Sequence, residues 1–125
     1  MRRLCLLSGA IAALLAVMAG TFGAHVLPKD LPAQQHAWFE TGVKYHMYHA
    51  LAMVALGWAV DFFSPNLIRS VIGLFAGGIV FFSVTLYVMG ATGIKVLGAI
   101  APIGGMCFLA GWAVVIYVAI KHRES

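Results

Sequence analysis

The segment TGVKYHMYHAL, residues 41–51, gathers a lysine, two tyrosines and two histidines at the mouth of a long apolar run. His46 and His49 stand one helical turn apart, flanked by Tyr45 and Tyr48. Imidazole is the commonest metal-ligating side chain and carries protons near neutral pH. A third histidine, His25, ends the preceding apolar run. The chain must reverse between the two runs, which puts His25, Tyr45 and His49 at similar depth on one side. Helical bundles build metal and haem sites from facing side chains in this way. Yet HxxH is a short pattern, and no cysteine or second carboxylate lies nearby. Histidine and tyrosine at a membrane surface also serve as plain hydrogen-bonding anchors. The residues therefore favour a hydrogen-bonded cluster of His25, Tyr45 and His49, with no metal and no cofactor. A His-ligated metal, haem or quinone site is the alternative. On the favoured reading His49→Ala lowers thermal stability and His46→Ala does much less.

The elements that position these residues follow from composition. Of 125 residues, 62% are hydrophobic and 10% charged. Soluble domains average about 25% charged residues. So little charge cannot cover a water-soluble globule, but it can cover the ends of a bundle in lipid. The net charge of +4 comes from basic residues scattered at the edges of apolar runs. That pattern suits lipid headgroups and topology control, not a nucleic-acid groove.

Residues 4–24 carry no charge, nor do 70–94 and 96–120. Each is long enough to cross a hydrocarbon core of about 30 Å. The run from Tyr45 to Val60, between Lys44 and Asp61, is shorter and must recruit neighbours. Only helices or closed barrels span lipid, and the alternation of barrel strands is missing. The expected architecture is one all-α membrane domain, a four-helix bundle with spans near 4–24, 43–63, 68–90 and 96–120. Pro28 and Pro32, Ser64-Pro65-Asn66 and Gly90 to Gly93 supply the breaks. A cleaved signal peptide over the first run is the lesser reading, because the run exceeds the usual length and cleavage would leave three spans.

Residues 31–42 read as a short interfacial helix opened by Pro32, with His36, Glu40 and Lys44 along its polar face. Arg2, Arg3, Arg69, Lys121 and Arg123 outweigh Lys29, Lys44 and Lys95, which places both termini in the cytoplasm. Small residues should mediate helix contact, since lipid supplies no hydrophobic drive between helices. Candidates are the ridge Ser8, Ala12, Ala16, Gly20, Ala24 and the GxxxG pair Gly73 and Gly77. Pro102 should kink the last span or sit in its first turn, with a close approach at Gly104 and Gly105. Cys5 and Cys107 lie at different depths, so they form no disulfide, and two cysteines alone make no zinc site.

No nucleophile elbow, P-loop or dinucleotide fingerprint is present, so the chain is not expected to be an enzyme. Size alone fits a small oligomeric transporter, but no acidic residue lies inside a span to couple protons. The expected partners are the bilayer and either a second copy or another membrane protein.

Four stretches carry a resemblance: GTFGAHVL (20–27), TGVKYHMYHAL (41–51), LYVMG (86–90) and APIGGMCFLAGW (101–112). Together they resemble the domain-of-unknown-function 423 family, which takes in transmembrane protein 256 and bacterial inner-membrane proteins. The likeness extends over nearly the whole chain. It implies a multi-pass, inner-membrane protein and supplies no catalytic residues. Its motifs fall on Gly20 to His25, on Tyr45 and His49, and on Pro102, Gly104 and Gly105. His46 stands outside that shared set.

Overall fold

The computed structural model describes residues 1–122. Arg123, one of the basic residues in the charge balance, lies outside the described residues. Four helices run up and down as a bundle. They are α1 (Arg2–His25), α2 (Ala33–Leu56), α3 (Pro65–Thr92) and α4 (Ala101–Lys121). The segment Ile79–Val84 inside α3 is a π-helix, with one residue more per turn than its surroundings require. A 3-10 turn, Lys95–Ala99, leads into α4.

Each break has a local cause. Pro28 stops α1 soon after His25. Ser64 caps α3, its hydroxyl accepting from the Leu67 N–H at 3.4 Å, and Pro65 opens the first turn. Gly93 ends α3 in the left-handed conformation, φ 76°, with its N–H on the Met89 carbonyl. A side chain there would be strained.

Three helices are long and apolar enough to cross a membrane: α1, α3 and the stretch Lys95–Lys121 that contains α4. α2 falls outside that set because Gln34, Gln35, His36, Glu40 and Lys44 occupy its early turns. The expected separate interfacial helix is not separate. Residues 33–42 form the first turns of α2, which runs unbroken for 24 residues. With neither glycine nor proline between Gln34 and Thr41, nothing interrupts the hydrogen-bond ladder. The second span, expected at 43–63, recruits upstream residues and stops at Leu56, where Gly57 turns the chain. Glu40 and Lys44 still pair at 3.9 Å on the exposed side.

α2 lies at the centre. Its buried residues include Phe39, Gly42, His46, His49, Ala50, Met53 and Leu56. α1 descends antiparallel beside it, Gly9 against Ala50 and Val54, Gly20 near Val43, Gly23 under the Phe39 ring. Of the expected ridge on α1, Ala16 is fully buried, and Ala24 is exposed. The outward surface is inverted relative to a soluble protein: Leu7, Ile11, Leu14, Met106, Leu109 and Ile120 are each more than half exposed. Such a continuous apolar skin is suited to acyl chains.

Candidate functional site

His49 is the better fastened of the two α2 histidines. Only 5% of it is exposed. The Trp112 indole N–H of α4 donates to its Nε2 at 3.0 Å. Indole nitrogen is donor only, so Nε2 must be the acceptor and Nδ1 must carry the proton. Nδ1–H then donates to the Tyr45 carbonyl at 2.7 Å. The ring stacks on Phe108 at 3.6 Å and meets Phe75 edge-on at 5.1 Å. Both nitrogens are taken, and no lone pair is left for a metal.

The aromatic cage around His49 needs glycines behind it. A Cβ at Gly78 would lie 2.3 Å from the Phe108 ring, and one at Gly111 would lie 2.5 Å from the Phe75 ring. Gly104 brings α4 onto the backbone of the π segment, 2.3 Å from Cβ to the Phe82 nitrogen. The contacts expected at Gly73, Gly77 and Gly105 differ. A side chain at Gly73 or Gly105 would meet nothing, and one at Gly77 only the Cys107 sulfur at 4.0 Å. The Gly73–Gly77 spacing arises in a glycine-rich helix whose contacting face is set by Ile68, Val71, Ile72 and Phe75 instead. Pro102 sits in the first turn of α4, where its missing N–H costs nothing.

His46 is 4% exposed and turned to the other side of α2. Its Nδ1 is 2.7 Å from the Tyr87 hydroxyl of α3. Gly42 allows this approach, since a Cβ there would press on the Tyr87 ring and the Ser83 carbonyl. Its Nε2 is buried against the backbone of Ala12 on α1. Ser83 Oγ, inside the π segment and fully buried, likewise has no partner.

The sequence-predicted cluster therefore divides. His49 and Tyr45 are joined, but through the Tyr45 backbone, and the Tyr45 ring is 41% exposed. His25 does not join them. It is exposed at the C-terminal end of α1, beside a stretch whose neighbours on α2 are residues 36–43, far from His49. The reversal at residues 26–32 is tight, so α1 and α2 register by their full lengths and His49 pairs in depth with the middle of α1. His36 and Glu40 line a separate recess of about 320 Å³ at that end of the bundle, with Phe39 as its wall. Among the described residues no three His, Cys, Asp or Glu side chains come together. Sequence reasoning missed Tyr87, Phe108 and Trp112. All three lie inside the stretches LYVMG and APIGGMCFLAGW, so the signal was present, but a lone aromatic in a span reads as lipid-facing. Gln35 was also missed: its amide donates to the Gly90 carbonyl at 3.0 Å and ties α2 to the C-terminal end of α3.

Comparison with known proteins gives one family. The model for a protein of unknown function (DUF423) matches residues 19–105. The UPF0382 membrane protein YwdK of Bacillus subtilis is 42% identical over 91% of this chain and 94% of its own length. The UPF0382 membrane protein SSP2132 of Staphylococcus saprophyticus is 41% identical over 90% of this chain and 93% of its own. The UPF0382 inner membrane protein YgdD of Escherichia coli K12 is 34% identical over 98% and 94%. No solved structure matches the chain.

Proposed function

The chain belongs to the DUF423 family, and on that premise we propose that it is a non-enzymatic multi-pass membrane protein with a structural or accessory role, both termini facing the cytoplasm. One observation carries the reading. His49, the histidine best placed for chemistry, has each nitrogen committed to a hydrogen bond and its ring stacked on Phe108. A residue so held fastens α2 to α4. The orientation rests on Arg2, Arg3, Arg69 and Lys121 outweighing Lys29, Lys44 and Lys95. At the arginine-rich end, Arg2 donates to the Gly57 carbonyl at 2.9 Å and faces Asp61 at 3.8 Å. Asp61 is thereby matched at a helix end and offers no carboxylate within the bilayer.

The test is the metal content and visible spectrum of the purified protein, beside His49→Ala and Trp112→Phe. A colourless, metal-free protein whose two variants melt earlier supports the fastening role. A stoichiometric metal or a haem band that disappears with His49→Ala overturns it. A reporter fused after Ser125 should score cytoplasmic, and a periplasmic score reverses the orientation.

A further inference from the structure

The arginine-rich end of the bundle carries two adjacent cations that the fold uses only in part. Arg2 is fixed in place: its Nε donates to the Gly57 carbonyl at 2.9 Å, which ties α1 to the turn after α2. Its Nη2 stands 3.8 Å from the Asp61 carboxylate, beyond hydrogen-bonding range. A guanidinium holds five N–H donors in one plane, so most of those on Arg2 stay free while their direction is set. Arg3 is exposed, and no carboxylate among the described residues lies within ion-pair distance of it.

Both arginines stand at the head of a shallow recess of about 540 Å³ whose other walls are Leu6, Leu7 and Ala10. Leu6 backs it, packed on Gly57, where a Cβ would come 3.3 Å from the leucine Cδ2. Along α1 from Arg3, Leu7, Ala10 and Leu14 follow at i+4, i+7 and i+11, so they continue one face of the helix. Leu7 is 55% exposed and Leu14 61%. α1 is long and apolar enough to span, so this face leads from the membrane surface down among acyl chains. Trp58, next to Gly57 and 72% exposed, marks the level of that surface, because indole settles among headgroups.

The chemistry of an occupant follows. It must bring a negative group to the arginines and an apolar chain to the leucines. A free phosphate meets only the first need. A zwitterionic lipid brings an ammonium group to an end where Arg2, Arg3, Arg69 and Lys121 face Asp61 as the one acidic side chain among the described residues. An anionic phosphodiester suits the site, since the planar guanidinium fork matches phosphate oxygens two at a time. We propose that Arg2 and Arg3 form a binding site for one anionic phospholipid, its phosphodiester held between the two guanidinium groups and one acyl chain laid along Leu7, Ala10 and Leu14. This goes beyond the accessory role and does not depend on which side of the membrane the arginines face.

The experiment titrates the full chain in detergent with phosphatidylglycerol or phosphatidylethanolamine of the same acyl chains, and counts bound lipid by native mass spectrometry. The first phosphatidylglycerol should bind about tenfold tighter than the first phosphatidylethanolamine. Arg3→Gln should remove most of that preference. Arg69→Gln takes the same charge from the same end but not from the recess, and should keep it. Glycerophosphoglycerol, the headgroup without chains, should not displace the lipid. Equal affinity for the two lipids overturns the proposal. Equal losses in the two variants would reduce the effect to diffuse surface charge and overturn it as well. Displacement by the bare headgroup would make this a phosphate site and overturn the lipid assignment. Should Arg3→Gln fail to fold, Arg3→Lys decides: it keeps the charge but not the paired donors, and an undiminished preference there overturns the site.

Discussion

His46 and His49 are three residues apart on one helix, equally buried, and held in opposite ways. His49 faces α4 and is closed on every side: two hydrogen bonds, a stacked ring and an edge-on ring. His46 faces α1 and α3, with Nδ1 on the Tyr87 hydroxyl and Nε2 against the Ala12 backbone, and borders a groove open to lipid. Three residues turn a helix by about 300°, so neighbours in a HxxH pattern point some 60° apart. In a central helix that angle is enough to hand each residue to a different partner. Residue type and burial do not say which helix a histidine fastens. The direction in which it leaves the helix does.

The largest test of the closed side is Gly104→Ala. Its Cβ would fall 2.3 Å from the backbone nitrogen of Phe82, which cannot swing aside as a side chain would. A loss of about 3 kcal/mol or more is expected in detergent unfolding. Gly105→Ala, one residue along with open space before it, should be neutral or slightly stabilising. Equal losses at the two positions would mean that α4 does not rest on the π segment. Next in size, His49→Phe keeps the ring but strands the Trp112 N–H. About 2 kcal/mol should be lost, within the range for a buried donor left unpaired. Trp112→Phe should lose less, because only one of the two His49 bonds goes with it. If His49→Phe melts like the wild type, the closed side is held by stacking alone.

Much of this was legible beforehand, and the limits have physical causes. The four helices follow from charge-free run lengths, and the turns from Pro28, Ser64-Pro65 and Gly93. The merger of residues 33–42 into α2 was not legible, because polarity signals where a helix leaves lipid and not where its ladder breaks. Of the expected cluster, Tyr45 and His49 meet and His25 does not. Depth was judged from distance to a span end, and a longer α2 moved His49 inward by several turns. The ranking of His49 above His46 rested on His46 contributing little. The structure buries both, and Tyr87 gives His46 a partner. Of the small residues, Ala16 is buried and Gly104 lies against the Phe82 backbone while Gly73 faces open space, because spacing gives a stripe without saying which way it faces.

The open side predicts smaller effects with a distinctive pattern. Tyr87→Phe leaves His46 Nδ1 without its partner, and His46→Phe strands the Tyr87 hydroxyl. Each single change should cost about 1 kcal/mol, in line with hydrogen bonds measured between membrane helices. The double change strands nothing and replaces polar surface by apolar surface of similar shape. It should be no less stable than either single variant, so a double-mutant cycle returns a coupling of about 1 kcal/mol. Strict additivity would mean that the 2.7 Å contact carries no energy.

The smallest expected effect is at Ser83. Ser8, Thr21, Ser70 and Thr92 each donate their hydroxyl to the carbonyl four residues earlier, at 2.6 to 3.0 Å. Ser83 does not, and it is the one of the five inside the π segment, where the widened turn displaces that carbonyl. Its hydroxyl is fully buried without a partner. Ser83→Ala removes that unpaired group at the cost of a very small void. The expected change in unfolding free energy lies between zero and a gain of about 0.5 kcal/mol. A loss above about 1 kcal/mol would show that the hydroxyl is bonded after all. The sign of this one small number therefore separates a π segment that leaves its hydroxyl unpaired from one that re-bonds it.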